Sequence, residues 1–314
     1  MNKRIRKIIG YILIILGIAL PLFAFTKLTV NSFMSRSRYV NYKEEFQKVE
    51  EDTLKKREEE IKKYSDKIKK QSEKAIIDPF SANDYRSNYE LKTIGQDEIF
   101  AYMIIPKIDV IKPIYLDASY DHLDKGFAQI EGTGLPVGGR GTRCVIAGHR
   151  GWYGDTFLLH ADELESGDEI FIDRGSEVLT YYVTDKEVID ANDWKSLEPR
   201  EDEDMLTLLT CHPPIPPFPD RLLVNAVRRS DEIKEDFIEE SSEKTDENPS
   251  GKITFKKINL DGLISSTKVS NKTLITNIVI YTFTLIGYIA LFFTIYKFIR
   301  FLKKEKRGAK QLKR

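Results

Sequence analysis

Residues 206–227 read Leu206-Thr-Leu-Leu-Thr-Cys211-His-Pro-Pro-Ile-Pro-Pro-Phe-Pro-Asp220-Arg221-Leu-Leu-Val-Asn-Ala-Val227. The first run is apolar and β-type, and it stops at a cysteine. Five prolines then stiffen the connection, because proline fixes its own φ and offers no N–H to a ladder. A second β-type run follows, opened by Arg221. A thiol at the end of a strand lies where catalytic groups are commonly presented. Similar short runs, punctuated by Gly and Pro, occur at Ile99–Ile105, Arg143–Ala147, Glu169–Asp173, Leu179–Thr184, Met205–Thr210 and Arg221–Val227. Their spacing predicts an all-β barrel or sandwich between Glu98 and about Arg229.

The regions outside this one have other textures. From Ser35 to Ala75 the chain is dense in Glu and Lys and has no Gly or Pro. Apolar residues at Phe46, Val49, Leu54, Ile61, Tyr64 and Ile68 predict one or two amphipathic helices, mostly a solvated stalk. Asp231 to Glu247 holds nine acids against two lysines, which reads as a linker running on to residue 273. Ile8 to Phe25 is eighteen residues without a charge, and Leu274 to Tyr296 is twenty-three. At ~1.5 Å per residue both reach across a hydrocarbon core of roughly 30 Å. No small-residue cleavage site follows the first, so an uncleaved anchor is expected.

The 314 residues include 49 basic and 49 acidic side chains, but the charges are sorted. Residues 1–7 carry four basic residues and no acid, and residues 297–314 carry nine with one acid. The interior is therefore left at about −12, which argues against a nucleic-acid binder. Basic flanks at the outer ends of both spans predict two cytoplasmic termini and an external middle. With 18 Gly, 12 Pro and only 2 Cys, the chain is neither collagen-like nor a disulfide scaffold.

Two cysteines outside the cytoplasm would ordinarily pair. Their contexts argue otherwise. A thiol needs help to become a nucleophile at neutral pH, and His149, ending the run Arg143-Cys-Val-Ile-Ala-Gly-His149, is the best helper of four histidines. Gly148 and Gly151 are expected to leave room around its ring. His212 is adjacent to Cys211 and, in extended chain, points to the opposite face; His122 and His160 sit in polar contexts and read as structural. If His149 lies beside Cys211, Cys144 is five residues back along the same strand, about 16 Å away, whereas bridged Cα atoms lie within ~7 Å. Cys144 is then a buried structural residue. Arg221 supplies a fixed cation for an oxyanion. There is no HExxH and no cluster of Cys and His, so no metal or cofactor is expected.

Thr207-Leu-Leu-Thr-Cys211 with downstream Arg221-Leu-Leu-Val resembles the TLxTC…R signature of sortases, membrane-anchored cysteine transpeptidases of Gram-positive bacteria. Gly132-Thr-Gly-Leu-Pro-Val-Gly-Gly139 and Ala147-Gly-His-Arg-Gly151 resemble the segment carrying the family's histidine. Ile104-Ile-Pro-Lys-Ile108 is similar to the family's early strand, and Leu164 to Ile172 also fits. The resemblance covers Glu98 to Arg229 and implies a closed eight-stranded β-barrel, a catalytic domain over 98–230. It assigns Cys211, His149 and Arg221 to catalysis and Thr210 to substrate binding. A second membrane span resembles class C, the pilus-assembling sortases. So does Ile76-Ile77-Asp78-Pro79-Phe80, within the 35–97 segment, which resembles the lid of that class. Pro79 biases Asp78 toward an extended conformation, so Asp78 and Phe80 are expected to share a side, the acid toward Arg221 and the ring toward the Cys211–His149 edge. A plain turn into the barrel is the other reading of this segment. One departure is the loop after the nucleophile: class members usually carry a Thr-Pro-Tyr-Gly type segment with an Asn, whereas residues 212–220 are proline-rich and about one residue longer.

The resemblance implies that Cys211 attacks the Thr carbonyl of an LPxTG-like sorting signal and that a pilin Lys amine resolves the thioacyl-enzyme. The partners implied are pilin subunits and the membrane. A cell-wall-anchoring sortase or a hydrolytic cysteine peptidase would share the chemistry and differ in the second nucleophile. A membrane-tethered binding module would explain the anchors but not the Cys/His/Arg set.

Overall fold

The computed structural model describes residues 3–70, 76–80, 85–87, 89, 91–151, 154–200, 202–228, 262, 264 and 267–311. The chain divides into two units, residues 35–273 and the pair of terminal segments, 1–34 with 274–314.

In the larger unit the apolar runs become eight strands. They are β1 (Ala101–Ile105), β2 (Val110–Tyr115), β3 (Phe127–Gln129), β4 (Thr142–Ala147), β5 (Glu169–Asp173), β6 (Val178–Asp190), β7 (Asp204–His212) and β8 (Asp220–Arg228). They close into a barrel in the order β1-β2-β3-β4-β7-β8-β6-β5. The pairs β2/β3 and β4/β7 are parallel and the remaining neighbours are antiparallel. Barrel closure is the fold that the family resemblance implied, and it selects between the two all-β forms that the spacing allowed.

Two strands carry too weak a pattern to be read in advance. β2 contains Lys112 and Pro113, and β3 is only three residues long. The early-strand segment is also shorter than expected. It ends at Ile105, and Pro106–Ile108 turns into a single 3₁₀ turn, because Pro106 has no N–H to extend the ladder.

Barrel closure explains why β7 reads as a continuous apolar run rather than an alternating one. Leu206 and Leu208 point into the main core with Met103, Ile114, Phe127, Ile146 and Val224. Leu209 faces the other way, into a second cluster with Val145, Ala147, Leu223 and Tyr85, against which Ile76, Phe80 and Trp194 pack. Both faces of this part of the sheet are therefore covered, the usual condition for parallel strands. The second cover is the segment that leads from the helices into the barrel.

Upstream lie α1 (Lys3–Phe46) and α2 (Glu51–Lys70). The charged face of α2 is exposed, as expected of a solvated stalk. Its apolar face is not: Ile61 and Tyr64 are buried in the main core, and Ile68 packs on it. The last turns of α1 also meet the barrel, where the Tyr39 hydroxyl donates to Asp173 at 2.5 Å and Lys43 Nζ pairs with it at 2.8 Å. α2 and the last turns of α1 belong to the larger unit.

The smaller unit contains the first part of α1 and α4 (Asn271–Gln311), two helices long and apolar enough to cross a membrane. α1 continues through Pro21 without ending. The two helices are joined by hydroxyl pairs, Thr26 with Tyr288 at 3.1 Å, Thr29 with Thr284 at 3.0 Å and Ser32 with Tyr281 at 2.8 Å. A side chain at Gly287 would meet Leu22 Cδ1 at 2.7 Å, so the glycine sets the approach. Small and hydroxylated residues at a helix contact, with large apolar ones facing out, are typical of helices in lipid. Leu20 and Phe23 are indeed 73% and 74% exposed. The linker expected at 231–247 lies outside the described residues.

Candidate active site

The site is assembled by strand register. On β7 and β8, Cys211 stands directly opposite Arg221. β4 runs parallel to β7 with Ala147 opposite Leu209, and Gly148 continues the ladder by donating its N–H to the Leu209 carbonyl at 3.1 Å. Extending this register by two residues brings His149 alongside Cys211. Thr210 locks the alignment. Its hydroxyl donates to the Gly148 carbonyl at 2.7 Å, and the residue is 1% exposed. In this structure Thr210 thus holds the histidine strand rather than facing solvent.

From sequence, Gly148 is expected to make room for the histidine ring, but the space beside it is taken by Phe127. A Cβ there would meet Phe127 at 2.5 Å, so the glycine is needed for close packing of the strand end onto the core. Gly151 does carry a positive φ, +129°, where the chain leaves the site.

His149 is buried among rings. The centroid of Phe80 lies at 5.7 Å, that of Tyr120 at 5.6 Å and that of Phe157 at 5.9 Å. Its Nε2 lies 3.4 Å from Asp124 Oδ1. Burial pushes the imidazole pKa down, and the Asp124 charge opposes the shift. Burial likewise pushes the Cys211 thiol up, against the lowering influence of Arg221 and Arg150 and together with the raising influence of Asp78. Each group is thereby biased toward its neutral form.

The Asp78-Pro79-Phe80 segment lies over this pair. The Asp78 carboxylate accepts a charge-assisted hydrogen bond from Arg221 Nη2, with both side chains buried. The Phe80 ring lies 5.5 Å from the Arg221 guanidinium as well as beside His149. The two side chains enter together, as expected, but the backbone is not extended throughout. Pro79 and Phe80 form a turn in which the Phe80 N–H donates to Asp78 Oδ1 at 3.2 Å. Arg221 also donates to the Phe218 and Asp220 carbonyls at 3.0 and 2.8 Å, so its fork spans the proline-rich loop and the covering acid.

Both cysteines are free thiols. Cys144 stands opposite Leu206, five positions before Cys211 on the neighbouring strand, and faces the main core. Among the described residues no group of His, Cys, Asp and Glu is arranged to hold a metal.

Several residues at the site were not singled out from sequence. Arg150 is buried, donating to His212 Nδ1 at 2.8 Å and to Asp162 at 3.0 Å. Its place next to His149 was the one available signal. Tyr120, Asp124 and Phe157 come from elements distant in sequence and had none.

The arrangement combines a thiol, an imidazole and a fixed guanidinium at one end of a barrel, the set needed for acyl transfer through a thioester. Comparison with known proteins agrees. The Sortase family model, described as a sortase domain, matches residues 103–229. No curated protein sequence matches the chain. Among crystal structures, sortase C-3 from Streptococcus pneumoniae is similar at 34% identity and a TM-score of 0.56, over 63% of this chain and 90% of that one. Sortase C1 of GBS pilus island 1 is 31% identical with a TM-score of 0.54, over 60% and 94%. A sortase C from S. pneumoniae is 29% identical with a TM-score of 0.54, also over 60% and 94%. With this fold and this similarity, the chain belongs to the sortase family of cysteine transpeptidases, within class C.

Proposed function

We propose that this chain is a membrane-anchored, pilus-assembling sortase that joins an LPxTG-like sorting signal to a lysine of another pilin subunit. The reading is supported by Cys211 standing opposite Arg221 on β7 and β8, by Gly148, the residue before His149, being bonded to Leu209 and Thr210 of β7, and by the Phe80 ring lying beside both His149 and Arg221. Cys211 attacks the Thr carbonyl carbon as thiolate. Arg221 stabilises the oxyanion of the tetrahedral intermediate, and His149 protonates the departing Gly amine, leaving a thioacyl-enzyme. A pilin Lys amine then attacks the thioester, giving its proton to His149, and Cys211 leaves. No metal or other cofactor takes part. Pilin substrates are supported by the relatives, one from a pilus island and one described for its pilin substrate specificity.

The Asp78-Pro79-Phe80 segment acts as a lid. Arg221 cannot meet an oxyanion while Asp78 occupies it, so substrate must displace a tethered competitor of high effective concentration. Two spans with basic outer flanks support an anchor at each end, both termini in the cytoplasm and the barrel outside.

The test is incubation of the full chain, in detergent micelles, with a sorting peptide and a pilin lysine donor. Amide ligation to the lysine is the expected product. Hydrolysis alone would point to a peptidase, and ligation only to a cell-wall peptide amine to an anchoring sortase. No thioacyl-enzyme with any sorting peptide would leave a tethered binding module.

A further inference from the structure

We propose that Asp124 is a positioning residue for His149, holding the orientation and tautomer of its ring. A carboxylate there also favours the protonated ring in surroundings that are otherwise apolar. The inference rests on the reading of His149 as the proton donor. Asp124 closes α3 (Tyr120–Leu123), a single helical turn whose two ends both meet that histidine. At one end the Tyr120 ring stands edge-on at 5.6 Å; at the other the Asp124 carboxylate lies 3.4 Å from Nε2.

This turn is fixed from beneath. His122 is buried, with Nδ1 at 2.8 Å from the Asp117 carbonyl and 3.0 Å from the Ser119 hydroxyl, and Nε2 at 3.0 Å from Asp97. Its ring stacks on Tyr115 at 4.4 Å. Leu123 is fully buried, and the Asp124 N–H donates to the Tyr120 carbonyl at 3.0 Å. Just beyond, Gly126 lies so close to the Pro113 carbonyl that a Cβ would sit 2.4 Å from it. The carboxylate is therefore carried on a rigid mount.

Its chemical effect follows from the surroundings. The three rings exclude water and disfavour the imidazolium. The charged and titratable groups facing this region from the other elements are Cys211 on β7, Arg221 and Asp78 across the Phe80 ring, the Tyr120 phenol, and Arg150 with its partners His212 and Asp162. Lys112 lies over Phe157, 5.7 Å from its centroid, and pairs with Asp155. Among the described residues, Asp78 and Asp162 are engaged by arginines, whereas the Asp124 carboxylate lies in direct reach of the ring. A carboxylate at Nε2 favours the tautomer protonated there and leaves Nδ1 to gain and release the transferred proton. The Asp124 side chain is 51% exposed, so solvent screens the pair and the effect is modest.

The experiment reads His149 directly. Full-length wild type, Asp124→Asn and Asp124→Glu, labelled at the histidine Cε1 positions and held in micelles, are titrated by NMR, with His149→Ala identifying the signal. Asp124→Asn is expected to lower the His149 midpoint by about half a unit. Because the protonated ring is the active donor, the alkaline limb of peptide cleavage should move down equally. At pH 7 kcat/KM should fall by no more than about fivefold, and Asp124→Glu should retain most of the wild-type midpoint. An unchanged midpoint in Asp124→Asn overturns the proposal, as does a loss of activity without movement of the limb. Full activity in His149→Ala would instead refute the assignment of His149 itself.

Discussion

Cys144 and Cys211 sit on adjacent parallel strands, and both are buried free thiols, yet only Cys211 lies at a strand end under the influence of arginines. Cys144 faces the barrel core among Leu206, Tyr181 and Ile146. Burial raises its pKa well above that of an ordinary thiol, and Asp204 pushes in the same direction. Burial raises Cys211 as well, but there two guanidinium groups oppose it. The lesson concerns position along a strand. Mid-strand and facing inward, Cys144 lies in the apolar core, where the Asp204 carboxylate also disfavours the thiolate. At the strand's end Cys211 meets the loops, where Arg150, Arg221 and the covering Asp78 bring charge.

The sharpest test of this contrast is removal of each thiol. Cys211→Ala should abolish thioester formation and ligation completely, while Cys144→Ala keeps at least half the wild-type rate. A bridge between the two, mapped by mass spectrometry under non-reducing conditions, would break the comparison outright.

Next in size is the histidine. His149→Ala should lower the ligation rate by about 10² to 10⁴, with an unchanged melting temperature. A fall in Tm matching the loss of activity would place His149 on the structural side of the contrast. Wild-type activity should follow a bell in pH whose limbs belong to the coupled Cys–His pair rather than to either residue.

The covering segment gives a smaller effect with a definite sign. Asp78 raises the Cys211 pKa and occupies the arginine that lowers it. Asp78→Ala should therefore let the thiolate form at lower pH, and speed labelling by a thiol reagent at pH 7 on the order of tenfold. Phe80→Ala should speed labelling too, by uncovering the site, with less shift in its pH midpoint. Equal rates in wild type and both variants would mean that the segment does not guard the thiol. The smallest effect is on stability: Cys144→Ala leaves a small hole in the core and should cost roughly 1 kcal/mol, read from a denaturant midpoint.

Much of this was legible in the chain. β7 and β8 were marked by a β-type run ending at Cys211 and another beginning at Arg221, because strands covered on both faces are mostly apolar; the buried exceptions, Thr207 and Asn225, are hydrogen-bonded to Arg143. The helical period of Ile61, Tyr64 and Ile68 marked α2, though not that its apolar face closes on the barrel core. β2 escaped because Lys112 and Pro113 break its pattern; the lysine is satisfied by Asp155, more than forty residues away, which no local reading can supply. The pairing of Asp78 with Arg221 was expected from the resemblance and from the Asp-Pro-Phe spacing, with a turn as the alternative; the structure has both together, since the Asp78 carboxylate accepts from Arg221 and from the Phe80 N–H.

The sequence by itself determined the chemical inventory: a thiol and a cation at strand ends, a histidine after a third strand, two apolar segments with basic flanks. These are local properties, written in periodicity, proline placement and charge. Only the tertiary structure decided what surrounds the inventory. Asp124, Tyr120 and Phe157 reach His149 because α3 and the loop after β4 fold onto the residue that follows β4. Burial, ring packing and the field at a titrating group are sums over neighbours remote in sequence, and those neighbours are chosen by strand order and register.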